Sequence, residues 1–130
     1  HKLRDLAGKF HDTPVVLDHC GFPTARTDEY FSNWRRALAD LSRAENVVCK
    51  ISGLGMCDHD WTTDSIRPWV LHCIEAFGTE RCVFGTNWPV DKLFSSYDAV
   101  IDAYAEIVGD FSNDEQVAMF SGNAESIYGI

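Results

Sequence analysis

Neither phosphate-cradling motif occurs in the 130 residues: there is no G-x-G-x-x-G and no G-x-x-x-x-G-K-[ST]. Nucleotide binding therefore has no motif support. The five cysteines, Cys20, Cys49, Cys57, Cys73 and Cys82, include no C-x-x-C pair. A structural zinc or a disulfide framework would show closer, paired spacing. No apolar run approaches the ~20 residues that cross a bilayer, and no signal peptide is visible. Positive charge is scarce, with 11 Lys and Arg against 20 Asp and Glu for a net charge of −9. That balance argues against a nucleic-acid partner and against a basic membrane-surface module. The chain is read as cytoplasmic, with reduced thiols. It begins at His1 rather than Met, so the natural N-terminus is expected upstream.

What is present is core material. Hydrophobic residues make up 45% and aromatics 12%, which suits one ordinary globular core. No linker, low-complexity segment or charge block divides the chain. It reads as one domain, or one piece of one.

Three short β-branched segments look like buried parallel strands: 15–20 (VVLDHC), 47–53 (VVCKISG) and 81–87 (RCVFGTN). They recur roughly every 32 to 35 residues, the length of a strand-helix-strand unit. Helical periodicity fills the gaps. Phe31, Trp34, Leu38 and Leu41 form one stripe behind an N-cap at Thr27. Ile66, Val70, Ile74 and Phe77 form a second over 65–77, with Pro68 placed in the first turn and Gly78 closing. A third runs over 96–108, and Ser112 with Glu115 fits a capping box. The opening stretch puts Leu3, Leu6 and Phe10 on one helical face. This alternation means α/β with parallel strands.

In parallel α/β folds the active groups gather at the C-terminal strand ends. The three ends here carry Asp18-His19-Cys20, Lys50-Ile51-Ser52-Gly53 and Asn87-Trp88-Pro89. Strand alternation would turn His19 inward with Leu17, pair Lys50 with Ser52 on one face, and pair Gly85 with Asn87. His19 suits a metal ligand, a general base or an oxyanion partner, or simply a histidine bonded to a carbonyl. Asp18 is expected to pair with a backbone N–H or a basic residue. Lys50 is either functional or a snorkelling side chain. Asp58, His59 and Asp60 form either a divalent-ion loop or a solvated one. Trp61 and Trp88 either floor a small-molecule pocket or pack at its rim. Asn87 is the odd residue, because an amide has no proton equilibrium near neutral pH. Asp91, four residues on, would lie roughly 13 Å away if extended, and is read as a loop brace rather than a base.

Four stretches together, PVVLDHCGFP, VVCKISGL, RCVFGTNWPVD and GNAESIYGI, resemble the C-terminal half of the amidohydrolase-related proteins. These are TIM-barrel metal-dependent hydrolases that include lactonases. The resemblance covers nearly all of residues 12–130, in order and in register. It implies that the chain is the C-terminal part of a (β/α)8 barrel, strands six to eight with their helices. It implies a hydrolase of a small lactone or amide, assisted by a divalent metal such as zinc or by a general base, and inactive without the N-terminal half. His19 falls on the family's strand-end histidine, which serves the metal or the substrate carbonyl. Asn87 falls where many members carry an Asp that binds metal or takes a proton from water. Ser52 falls on a substrate-side turn and Trp88 on the residue after the last-strand position, and Lys50, Trp61 and Asp91 join them as substrate-binding candidates from their places near the strand ends. The expected partners are a small-molecule substrate and either a second copy or the missing half. The rival readings are a non-catalytic relative that binds small molecules, and a stand-alone α/β domain.

Overall fold

The three β-branched segments pair as three parallel strands, in the order β1-β2-β3. A computed structural model describes residues 2–130. β1 (Val15–Leu17), β2 (Val47–Ile51) and β3 (Cys82–Phe84) are shorter than the apolar runs that form them. Val15 stands opposite Val47 and Leu17 opposite Cys49, while Cys49 also meets Cys82 and Ile51 meets Phe84. The middle strand thus pairs with both neighbours, as sequential adjacency predicts.

Both outer strands stop early, and this corrects the alternation argument. β1 ends at Leu17, and Asp18–Gly21 turns as a 3-10 segment with φ of 50° at His19 and 45° at Cys20. The indole of Trp34 donates to the Cys20 carbonyl at 2.9 Å, and Phe22 N donates to His19 O at 2.8 Å. Those bonds replace the ladder, so His19 is aimed by a turn and not by a pleat. β3 ends at Phe84, with one further ladder bond from Gly85 N to Ile51 O, and Asn87 sits at φ 55°.

The helices cover the sheet. α1 spans Lys2–Lys9, α2 Asp28–Leu41, α3 Thr63–Phe77, α4 Tyr97–Ile107, α5 Asn113–Val117 and α6 Asn123–Tyr128. A π turn, Ala118–Gly122, joins the last two. Thr27 caps α2 by accepting from Tyr30 N, and Ser112 and Glu115 form the expected capping box. The stripes of α2, α3 and α4 bury Trp34, Leu38, Ile66, Val70, Ile74, Phe77, Val100 and Tyr104 among others. α3 starts at Thr63, two residues before the sequence reading, behind a Thr62–Ser65 capping box. Pro68 therefore falls in the second turn, not the first, and leaves the Asp64 carbonyl without its helical donor. Both residues are exposed, so water can serve that carbonyl. Replacing Thr62 with Ala is expected to cost about 1 kcal/mol, read as a lower urea midpoint at unchanged slope.

The opening helix also differs from its expected face. His1 lies outside the described residues. Of the proposed stripe, Leu6 is 50% and Phe10 58% exposed, while Ala7 is buried and Leu3 packs partly against the core. The cause is Asn46, whose amide donates to Ala7 O, Phe10 O and Thr13 O at 3.1, 3.1 and 2.9 Å. It fixes the roll of α1 through backbone carbonyls. Arg81 does the same below the sheet, reaching Ser42 O, Ala44 O and Val47 O at 3.0 to 3.2 Å. Asn123 ties α6 to Thr79 O and Cys82 O at 2.7 and 2.8 Å.

All five cysteines are free thiols, and four are buried. Burial pushes the Cys73 and Cys82 thiols well above the ordinary range. Iodoacetamide is expected to alkylate half-buried Cys57 first, with the other four labelled only on unfolding, as read by peptide mass spectrometry.

Candidate active site at the strand ends

His19 is held from both sides. Its Nδ1 lies 2.8 Å from Ser52 Oγ, and its Nε2 lies 3.3 Å from Asp18 Oδ2. Asp18 in turn pairs through Oδ1 with Lys50 Nζ at 3.4 Å. A continuous polar chain thus runs Ser52, His19, Asp18, Lys50 across the ends of β1 and β2. Ser52 is fully buried, so its hydroxyl braces the ring from the protein side.

Two glycines make room for this chain. Gly53 has φ +64°, and a Cβ there would stand 2.8 Å from His19 Nδ1 and 2.6 Å from Met56 Cε. A Cβ at Gly85 would stand 3.0 Å from Lys50 Cε and 3.3 Å from Ser52 Cβ. Gly85 therefore leaves the room in which the lysine stem packs just past the end of β3. Tyr104 Oη donates to the Gly85 carbonyl at 3.3 Å, and burial pushes its hydroxyl up so that it remains a donor.

The third strand end brings Asn87 and Asp91 together. The turn Val90–Leu93 returns the chain, with Asp91 N donating to Asn87 O at 3.2 Å. Asn87 Nδ2 donates to Asp91 Oδ1 at 2.8 Å. An extended count puts Asp91 far from the mouth, whereas the turn buries it to 3% exposure. Its backbone carbonyl still braces the loop, accepting from Phe94 N and Ser95 N at 2.9 and 3.0 Å. Burial raises the Asp91 carboxyl above its ordinary value, while the Asn87 amide and the His19 charge pull it down. A Cβ on Gly55 would lie 3.6 Å from Asp91 Oδ2 and 3.1 Å from the Trp61 indole. The Gly53–Gly55 turn therefore carries His19 on one side and Asp91 with Trp61 on the other.

The remaining candidates are engaged elsewhere. Trp88 is 37% exposed and meets Tyr97 edge-on at 5.6 Å, so it packs at the rim. His59 stacks on Phe94 at 4.2 Å, and its Nε2 lies 3.1 Å from Met56 O. Asp58 accepts from Ser65 Oγ at 3.2 Å and lies 3.8 Å from Arg26 Nε. These contacts hold the 54–61 loop in place. Among the described residues no three His, Cys, Asp or Glu side chains are grouped to hold a metal ion. With both ring nitrogens of His19 facing protein groups, this segment does not make a metal centre by itself.

Sequence reasoning placed His19, Lys50, Ser52 and Asn87 at the mouth but missed the Asn87–Asp91 bond and the space made by Gly85. The i, i+4 spacing of Asn87 and Asp91 around a proline was the available signal for the first.

An amidohydrolase family model matches residues 1–130, and the chain belongs to that family. It is 47% identical over 124 residues to the uncharacterized protein y4mH of Sinorhizobium fredii, covering 95% of this chain and 41% of that protein. It is 35% identical over 130 residues to an L-fucono-1,5-lactonase of Burkholderia multivorans, covering 89% of this chain and 43% of that enzyme. A zinc-bound crystal structure of an amidohydrolase from Burkholderia multivorans superposes with a TM-score of 0.92 at 31% identity, over 98% of this chain and 48% of that one. The chain thus has the fold of part of an amidohydrolase TIM barrel, and spans about half the length of these relatives.

Proposed function

We propose that the complete protein carrying this segment hydrolyses a small lactone, with amides as the less favoured class. The observation that carries the reading is the gathering of His19 and the Asn87–Asp91 pair at one end of a parallel sheet, on either side of the Gly53–Gly55 turn. The lactonase among the relatives favours a sugar lactone over an amide. Ser52 fixes the imidazole of His19 through Nδ1, and Nε2 is the nitrogen on the Asp18 side. A substrate carbonyl exchanging with the Asp18 carboxylate there would be polarised as water adds to it. Lys50 remains beside the site to pair with Asp18 or with the product carboxylate. The zinc of the related crystal structure supports a divalent metal in the complete protein, with a donor set that this segment does not supply alone.

The partners in this reading are a neutral small-molecule substrate and the rest of the barrel or a second copy of the chain. No helix among the described residues is long and apolar enough to cross a membrane, and a cytoplasmic enzyme is the reading adopted. A panel of aldono-1,5-lactones with a pH-indicator readout tests the activity. Acid release from at least one lactone is the expected result. Asn87, an amide where many members carry an acid, favours one second reading, a relative that binds but does not turn over. Saturable lactone binding with no acid release would replace the first reading by that one.

A further inference from the structure

We infer that Asp91 is the carboxylate that takes the proton from the attacking water, and that Asn87 is the residue that positions it. The inference rests on the hydrolase reading and deepens it. Asn87 cannot accept a proton near neutral pH, and its Nδ2 is committed to Asp91 Oδ1 at 2.8 Å. Asp91 is the acid that the Val90–Leu93 turn returns to that same place. The turn is closed at the backbone as well, by Asp91 N on Asn87 O at 3.2 Å. An acid four positions along the chain thus stands at the same strand end as Asn87.

The second oxygen lies against the Gly53–Gly55 turn, across which His19 stands. Among the described residues the one side-chain hydrogen bond to this carboxylate is the Asn87 amide on Oδ1. Oδ2 faces the Gly55 backbone, where a Cβ would lie 3.6 Å away. His19 stands across the same turn, 2.8 Å from the Cβ position of Gly53. A lactone bound at the mouth of this turn with its carbonyl oxygen at His19 Nε2 would have the imidazole on one side and the Asp91 carboxylate on the other. Burial raises the Asp91 carboxyl, the direction that makes a carboxylate a better proton acceptor.

The step balances with water as the only co-reactant. Asp91 takes one proton as the water oxygen bonds to the carbonyl carbon, and the carbonyl electron pair moves to the oxygen polarised by His19. Collapse re-forms the carbonyl and breaks the ring C–O bond. The departing ring oxygen takes the proton back from Asp91, leaving a hydroxy acid.

Steady-state kinetics of the complete protein test this on any aldono-1,5-lactone it opens, with L-fucono-1,5-lactone first. Asp91→Asn is expected to lower kcat at least 100-fold, within the range for loss of a general base, and to leave KM within about threefold. Asn87→Ala is expected to lower kcat about tenfold with KM unchanged, the split of a group that acts through Asp91. Asn87→Asp is expected to lower kcat rather than raise it, because two carboxyls at that separation share a proton. Thermal unfolding of each variant checks the fold. If Asp91→Asn does not fold, Asn87→Asp decides: a fall in kcat supports the assignment and a rise overturns it. An Asp91→Asn variant that folds and keeps more than about a third of the wild-type kcat also overturns it. A wild-type protein that opens no lactone overturns the hydrolase reading, and this assignment with it.

Discussion

Replacing Trp34 with Ala is expected to destabilise the protein by about 3 to 5 kcal/mol, the cost of removing a buried aromatic ring. Trp34 packs against Phe31, Trp69 and His72 with ring centroids 5.7, 4.7 and 5.4 Å away. It also donates its indole N–H to the carbonyl of Cys20 at 2.9 Å. That bond sits one residue after His19, in the turn where β1 gives way to left-handed backbone. The substitution should therefore reduce turnover as well as stability. Trp34→Phe separates the two contributions. It keeps most of the ring and loses the donor, so it should cost about 1 to 3 kcal/mol. Urea unfolding of the three proteins measures both. A loss below about 1 kcal/mol for Trp34→Ala would mean that this cluster does not hold the turn.

Under the proposed hydrolase reading, Gly53→Ala in the complete protein is expected to lower turnover on the order of 100-fold, the cost of displacing His19 by about 1 Å from a reacting group. The φ of +64° carries a strain of about 1 to 2 kcal/mol for a residue with a Cβ. The two close neighbours then respond differently. Met56 Cε is the end of a flexible side chain and can move aside. His19 Nδ1 cannot move without lengthening its 2.8 Å contact to Ser52 Oγ. Gly78→Ala is the control. Gly78 has φ +79° and ψ 161°, a region nearly closed to residues with a Cβ, and nothing lies within 4 Å of its Cβ position, so it carries at least as much backbone strain and no site contact. Gly78→Ala should lose stability and keep its kcat. Equal kinetic losses in the two variants would remove the steric argument.

The readable parts of the fold were the locally determined ones. Thr27 as a cap, Ser112 with Glu115 as a capping box and Gly78 as a helix stop depend on residues within one turn of each other. β2 was readable because four of its five residues are buried, leaving an apolar run broken only at Lys50. The ends of β1 and β3 were not, because His19, Cys20, Phe22 and Asn87 take positive φ without being glycine. Asn and His tolerate that region better than most residues, but Cys20 and Phe22 carry no such signal, and Trp34, Ser52 and Asp91 hold these turns from elsewhere in the sequence. The same gap hid the return of Asp91, which depends on a turn that an extended-chain count cannot anticipate. Lys50 fell between these cases. Its place on β2 was plain, but the room that Gly85 leaves for its stem emerges only when β2 and β3 lie side by side. The assignment of the strands as six to eight of a barrel came from the resemblance and not from periodicity.

Asn46, Arg81 and Asn123 all work at the ends of the strands away from the candidate site, and all donate to main-chain carbonyls. A carbonyl is supplied by any residue type, so Ser42, Ala44, Thr13 or Thr79 can change identity without removing an acceptor. The requirement for particular side chains at that end is thus confined to three donors. At the other end, two glycines, a serine and a histidine meet in mutual contact, and each choice restricts the next. Sequence drift should therefore run more freely along the floor of this fold than at its mouth. A deep mutational scan of the complete protein would show this as tolerance around the three donors and coupling among Gly53, His19 and Ser52.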